Sequence, residues 1–229
     1  LNNQARTHSN AWGSVNQPGE YTADSNSADS FILDQPSYLA VFASGDLGST
    51  QGATTTPPGT AKNVLTVGAS TQGSGGGQSP SSPWSNNSGG TLDGRIKPDL
   101  VAPGGEICSA RAQEATAVPG SSCSDALHGD SATPLYFSDS GSSMATGAAT
   151  GAALLVRQHL REDFGISEPD ASLVKAILIN GASDLGQPDI PNPNEGWGQI
   201  DLMRTLNPIS DDGAALNTLM DYGHELRPG

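Results

Sequence analysis

Short apolar segments, each bounded by Gly, Pro, Ser or Asn, place the strongest constraint on the fold of this chain. Their apolar residues are continuous rather than alternating, which is typical of strands buried on both faces of a parallel sheet. Helices must then cover both faces of that sheet. The sequence therefore predicts an α/β fold with a parallel sheet and helices on both faces. The predicted strands are residues 38–43, 64–67, 100–102 and 107–110.

Helices are predicted in the second half of the chain. The first covers residues 142–163, and small side chains fill its first half, which predicts that another element packs very closely against it. The second begins at Ser167, where Ser167 and Asp170 fit a capping box, and Gly181 is expected to end it in a left-handed conformation. A shorter helical turn is expected over residues 201–206.

The charge of the chain excludes one class of partner. Its 229 residues contain 10 Lys and Arg against 24 Asp and Glu, a formal net charge of −14. This is the wrong sign for binding a polyanion, so we expect no nucleic-acid partner. The longest apolar stretch, residues 171–179, is interrupted by Lys175 and is too short to cross a bilayer, so we expect no membrane partner.

Cys108 and Cys123 are the only cysteines. Two cysteines are too few for a structural zinc site, and they are not spaced as CxxC. A disulfide between them would close a Gly- and Ser-rich loop and stabilise the fold by about 3 kcal/mol. That bond would fit an oxidising compartment and therefore a secreted, extracellular protein. Two buried free thiols are the alternative.

A glycine and two serines stand at the start of the small-residue helix. Gly141 precedes Ser142 and Ser143, so a hydroxyl lies where the free N–H groups and the positive dipole end of a helix favour developing negative charge. This placement suits a nucleophile. The alternative is an N-cap serine with a purely structural role.

Four separated segments agree in order and spacing with the motifs of one enzyme family. Residues 141–146, GSSMAT, resemble the G-T-S-M-A-T nucleophile motif of subtilisin-like serine proteases, and residues 93–104 resemble the segment that precedes it. Residues 61–69 resemble the central strand of that family. Residues 41–46, VFASGD, resemble its A-A-G-N oxyanion segment. The resemblance implies a subtilisin-like fold and peptide-bond hydrolysis.

The resemblance extends towards both ends of the chain. Residues 8–13 and 196–200 also match, so residues 1–206 are identified as the C-terminal portion of a catalytic domain whose N-terminal part is absent here. The likeness is strongest to the alkaline bacterial branch, in which a β-barrel module follows the catalytic domain. Residues 207–229 are then expected to be a domain edge or the start of a further module.

The resemblance implies that Ser143 attacks a peptide carbonyl of a polypeptide substrate and forms an acyl-enzyme, while its backbone N–H helps to hold the oxyanion. The family also needs an Asp and a His from an H-G-T-H helix, and both precede the matched region. No histidine of this chain lies in that context; the four are His8, His128, His159 and His224. We expect a companion segment to supply both groups and this chain alone to be inactive.

Three origins fit such a chain: a nicked protease, a fragment, or a non-catalytic peptide-binding scaffold that has lost the triad. A trypsin-like or lipase-like hydrolase fits less well, because a G-x-S-x-G elbow at Ser143 would need glycine at Ala145.

Asp46 stands where the family usually has asparagine. The asparagine amide donates a hydrogen bond to the oxyanion, whereas an ionised carboxylate would repel it. If Asp46 takes this role, it must be protonated in the transition-state complex, as a desolvated carboxylic acid can be. The alternative is an aspartate in a surface turn before Leu47.

The resemblance also implies two walls that line the pocket for the residue before the scissile bond. The small residues in both walls predict room for a large apolar side chain, and core packing is the alternative role for Trp12. The walls are Ala11, Trp12 and Gly13 on one side, and Phe42, Ala43, Ser44 and Gly45 on the other.

No cofactor is expected for catalysis. A structural calcium ion is common in the family, and the acidic loops 125–130 and 184–189 offer oxygen ligands, although neither has EF-hand spacing. Solvated loop charge is the alternative. Gly147 replaces a proline of the family motif, which predicts a looser first part of the helix.

Overall fold

The computed structural model of the protein describes residues 5–48, 52–71, 82–112, 136–187 and 189–207. The described elements, in chain order, are β1 (Thr7–Asn10), α1 (Ala23–Asp34), β2 (Leu39–Ala43), β3 (Leu65–Ser70), β4 (Leu100–Pro103), β5 (Ile107–Ala110), β6 (Tyr136–Asp139), α2 (Ser142–Glu162), α3 (Ala171–Asn180) and α4 (Leu202–Leu206).

The main sheet has four parallel strands in the order β1-β2-β3-β4. In its register, Thr7 pairs with Leu39, Val41 pairs with Leu65, and Val67 pairs with Leu100. Every residue of β2 and β3 is buried, as their mainly apolar sequences predict. The α/β class and the parallel sheet are therefore confirmed.

Helices cover both faces of this sheet. Alternate residues of β2 point to opposite sides, since Val41 packs in the core with α2 and α3, and Phe42 packs in a second cluster with Ile32 of α1. The larger core contains Val156 of α2, which is fully buried. The sheet therefore lies between α1 on one face and α2 with α3 on the other.

The small residues of α2 allow its close approach to the sheet. The helix ends one residue earlier than predicted, and Ala145 and Ala149 are fully buried in its first half. A methyl group on Gly104 would lie 2.6 Å from the Ala69 Cβ and 3.1 Å from the Ala145 Cβ. Glycine at the end of β4 therefore leaves the space in which α2 contacts β3.

Three sequence predictions about these elements are wrong. The strand β5 is present, but it pairs antiparallel with β6 in a separate two-stranded sheet and most of it is exposed. Gly181 follows α3 with φ −88°, so it is not left-handed. The space around it explains the glycine, because a methyl group there would overlap Thr205 of α4. The predicted capping box is also absent, since α3 is capped by Asp170 without a side-chain hydrogen bond.

A cluster of buried charges lies where β4 begins. The Asp99 carboxylate contacts Lys97 Nζ at 2.8 Å and Lys175 Nζ at 2.9 Å, and it accepts a 2.7 Å hydrogen bond from the Thr66 N–H. Burial lowers the pKa of Lys97 to about 8, although Asp99 opposes that shift. The two lysines hold the pKa of Asp99 below its usual value against the opposite effect of burial. This cluster joins β3, β4 and α3.

Candidate active site

The serine pair begins helix α2. The N-cap is Gly141, which makes no side-chain capping bond, so neither serine is the N-cap. Ser142 is fully buried, whereas Ser143 is only half-buried. The Ser143 hydroxyl donates a 3.2 Å hydrogen bond to the carbonyl of Ala11. The predicted nucleophile therefore lies beside the first predicted wall of the substrate pocket, at the positive end of a 21-residue helix.

Ser142 connects the start of α2 to the second wall. Its hydroxyl accepts a 3.1 Å hydrogen bond from the Gly45 N–H, and its own N–H donates to Asp46 Oδ1 at 2.8 Å. Gly141 has φ 153°, and a methyl group on it would lie 3.0 Å from Asp46 Oδ2. The structure thus brings Asp46 and the residue adjacent to Ser143 into direct contact.

The two predicted walls also contact each other. Trp12 is 55% exposed, and its ring packs edge-on against that of Phe42 with 5.6 Å between the centroids. Core packing as the role of Trp12 is therefore wrong. The second wall is more buried than the first. It follows the end of β2, where Phe42, Ala43 and Ser44 are buried and Gly45 is half-buried.

Thr56 joins the two walls, and sequence reasoning missed it. Its hydroxyl donates to the Ser44 carbonyl at 3.2 Å, and its side chain is buried. A methyl group on Gly13 would overlap the Thr56 hydroxyl, and one on Gly45 would lie 2.5 Å from Thr56 Cγ2. Thr56 therefore fills space between the walls. In the sequence, only the glycines at positions 13 and 45 indicated that another side chain, here that of Thr56, packs close to both walls.

Neither described histidine takes the place of a catalytic base. His8 Nδ1 is paired with Asn10 Oδ1 at 2.9 Å, and His159 Nδ1 is paired with Asp163 Oδ2. Within the described ranges, no histidine or carboxylate hydrogen bonds to Ser143. His128 and His224 lie outside those ranges.

Several predictions remain predictions. Cys108 lies in β5 and is not a free thiol, whereas Cys123 lies outside the described residues, so the disulfide between the two stays a prediction. The loop 125–130 also lies outside them, and the part of the chain that the structure describes holds no group of three or more His, Cys, Asp or Glu suited to a metal.

Among the described residues, no helix is long and apolar enough to cross a membrane. The proposed domain edge falls almost wholly outside them as well.

A sequence model of the subtilase family matches residues 1–198. The chain belongs to the subtilase family. The match covers β1 to α3 and every residue placed at the site above. The match does not distinguish branches within the family, so the likeness to the alkaline bacterial branch stays a prediction.

This subtilase is similar to two curated proteins of Dictyostelium discoideum. It is 37% identical over 136 residues to the serine protease/ABC transporter B family protein tagA, an alignment that covers 56% of this chain and 8% of the relative. It is 40% identical over 101 residues to tagD, covering 40% of this chain and 5% of that protein. The chain therefore spans less than a tenth of the length of these relatives.

Solved structures share the fold at low sequence identity. The prenylagaramide maturation protease PagA has a TM-score of 0.62 at 21% identity, covering 90% of this chain and 62% of that one. Fervidolysin from Fervidobacterium pennivorans, a keratinolytic enzyme related to subtilisin, has a TM-score of 0.63 at 19% identity, covering 90% and 27%. The described part of the chain therefore has a subtilisin-like protease fold.

Proposed function

We propose that this chain is the nucleophile-bearing portion of a serine endopeptidase that hydrolyses peptide bonds through an acyl-enzyme on Ser143. The hydrogen bond from Ser143 to the Ala11 carbonyl carries the proposal, because it places a half-buried hydroxyl between the start of a long helix and an exposed wall that a peptide can reach. Membership of the subtilase family supports the serine-protease chemistry.

Peptide-bond hydrolysis at Ser143 needs a base for proton transfer, and we propose that this base comes from outside the chain. A base must take the Ser143 proton as Oγ attacks the carbonyl, and it must return that proton to the leaving amine. We propose that a companion segment carries this His and its Asp partner. Water then attacks the acyl ester, and the second product leaves as a carboxylic acid.

Asp46 is proposed to act at the oxyanion. Its Oδ1 already accepts the Ser142 N–H, so Oδ2 is the oxygen left to approach the substrate. Oδ2 can donate to an oxyanion only when it carries a proton. Asp46 is exposed, so a bound peptide would desolvate it.

A polypeptide is the proposed substrate. An extended peptide would add beside the exposed wall of Ala11 to Gly13, with the side chain before the scissile bond directed towards Thr56. The proposal also includes an extracellular location and the Cys108–Cys123 disulfide that fits it. A calcium ion in an acidic loop would then be a structural partner and not a reactant.

A serine-directed phosphonate tests the proposal. The longer protein that includes the residues preceding this chain is labelled and digested, and mass spectrometry identifies the modified residue. We expect the label on Ser143 and its loss in Ser143→Ala. Ser140→Ala is the matched control, because it removes a nearby serine hydroxyl, three residues before the nucleophile, that accepts a hydrogen bond from the Glu106 backbone N–H.

The outcome also separates the two functional classes. The chain is a scaffold if it binds peptide but stays unlabelled in the presence of a segment with an H-G-T-H helix. That result would overturn the proposal. A label on a serine other than Ser143 overturns the assignment of the nucleophile.

A further inference from the structure

A cavity lies between the start of β1 and the second half of α2. It is open to solvent, has a volume of about 730 Å³, and is lined by three arginines and two glutamates. The chain has only ten basic residues and a net charge of −14, yet three arginines line this one cavity and outnumber its two glutamates. The charged lining residues are Arg6, Arg157, Arg161, Glu162 and Glu168.

The glutamates of the lining already have partners. Glu168 accepts from Arg6 Nε at 2.9 Å, and Glu162 accepts from Gln158 at 3.0 Å. Arg161 forms no ion pair in the part of the chain that the structure describes. The positive charge of the cavity is therefore only partly neutralised from within.

Arg157 is the most buried of the three arginines. It is 6% exposed, and its Nη1 is buried with no hydrogen-bond partner among the described residues. Desolvation lowers its pKa, Arg6 and Arg161 lower it further, and Glu168 and Asp170 raise it. A buried guanidinium beside two others is unfavourable unless an opposite charge joins them.

Thr7 adds a second unsatisfied group to the same cavity. Its Oγ1 is buried without a hydrogen-bond partner in the described structure, and the residue lines the cavity together with Arg157. Two buried donors without acceptors in one place are rare, because buried polar groups are normally paired. An oxyanion accepts hydrogen bonds from both a guanidinium and a hydroxyl, and it carries the negative charge that a buried guanidinium favours.

We infer that this cavity binds an oxyanion, a phosphate or carboxylate group, through Arg157 and Thr7, with the exposed Arg161 at its edge. Two sources share this chemistry: a free small anion, or an acidic side chain of the segment that precedes the chain. Only the second source rests on the proposed function, and labelling of Ser143 tests that function separately.

Thermal unfolding of the longer protein in increasing inorganic phosphate, at constant ionic strength, tests the inference. The variant is Arg157→Met, which keeps most of the apolar stem. Arg204→Met is the matched control, because Arg204 is an exposed arginine on α4 that does not line the cavity. For a free anion, Tm rises saturably by on the order of 4 °C in the wild type and in Arg204→Met, and not in Arg157→Met.

An acidic side chain as the occupant gives a different pattern. Phosphate then has no effect on any variant, Arg157→Met lowers Tm, and Arg157→Lys restores part of the loss because it restores the charge. The inference is overturned if phosphate acts equally on wild type and Arg157→Met. It is also overturned if phosphate has no effect and Arg157→Met either keeps or raises Tm, or lowers it without recovery in Arg157→Lys.

Discussion

The backbone N–H of Ser142 donates to Asp46 Oδ1 at 2.8 Å, so the residue next to the proposed nucleophile fixes the orientation of the carboxyl group. Only Oδ2 then remains for the substrate. A carboxylic acid donates from that oxygen, and a carboxylate repels the oxyanion. In the proposed mechanism, Ser142 and Asp46 together link the oxyanion chemistry to pH.

Asp46→Asn is expected to raise kcat/KM of the complete protease at alkaline pH, since an amide donates a hydrogen bond at any pH. One oxyanion donor contributes about 100-fold or more to the rate, so a rise of about 10- to 100-fold is expected where Asp46 is ionised. The pH–rate profiles of both proteins provide the measurement. Superimposable profiles would contradict a role for Asp46 at the oxyanion.

Thr56→Gly is expected to change the preferred residue before the scissile bond. Removing the side chain between Gly13 and Gly45 deepens the space between the walls, so peptides with a large aromatic residue there should gain about 10- to 100-fold in kcat/KM. A peptide series that varies this one position measures the change.

Thr56→Ser is the control for this prediction. It keeps the hydroxyl that donates to Ser44 and removes only the methyl group near Gly45, so an intermediate preference is expected. Equal changes for small and large peptide residues would mean that Thr56 supports the backbone and does not limit the pocket.

The sequence predicted the parts of this site that local patterns determine. The buried strand β2 was recognisable because its apolar run is unbroken, and α2 was recognisable from the small residues after Ser143. Thr56 was not, because its loop meets the walls only in the folded chain. The strand β1 was missed for a related reason: its sequence THSN is polar, and its pairing with β2 defines it.

Two glycines are expected to respond oppositely to substitution by alanine. A methyl group on Gly147 of α2 meets nothing within 4 Å, so Gly147→Ala should raise the unfolding free energy by about 1 kcal/mol through helix propensity. A methyl group on Gly181 overlaps Thr205, so Gly181→Ala should lower it by about 1 to 3 kcal/mol. Urea unfolding at equilibrium measures both. Stabilisation by Gly181→Ala would show that α3 and α4 do not pack this closely.

Lys97 is expected to make stability depend on pH in the alkaline range. Its pKa falls from 10.5 to about 8 in the folded protein, mainly through burial. Between these values the unfolded chain binds a proton that the folded chain lacks, so the unfolding free energy rises with pH. The expected rise is about 3 kcal/mol from pH 8 to pH 10.5.

Lys97→Met isolates this effect, because it removes the titrating amine and leaves the pair between Asp99 and Lys175 at 2.9 Å in place. Tyr21 and Tyr38, whose pKa values burial raises, titrate in both proteins and cancel in the difference. Urea unfolding at pH 7, 8, 9 and 10 should therefore give a wild-type minus variant difference that is flat up to pH 8 and then increases. A difference that stays constant to pH 10 would mean that Lys97 remains charged beside Asp99, and that the carboxylate offsets the desolvation of the amine.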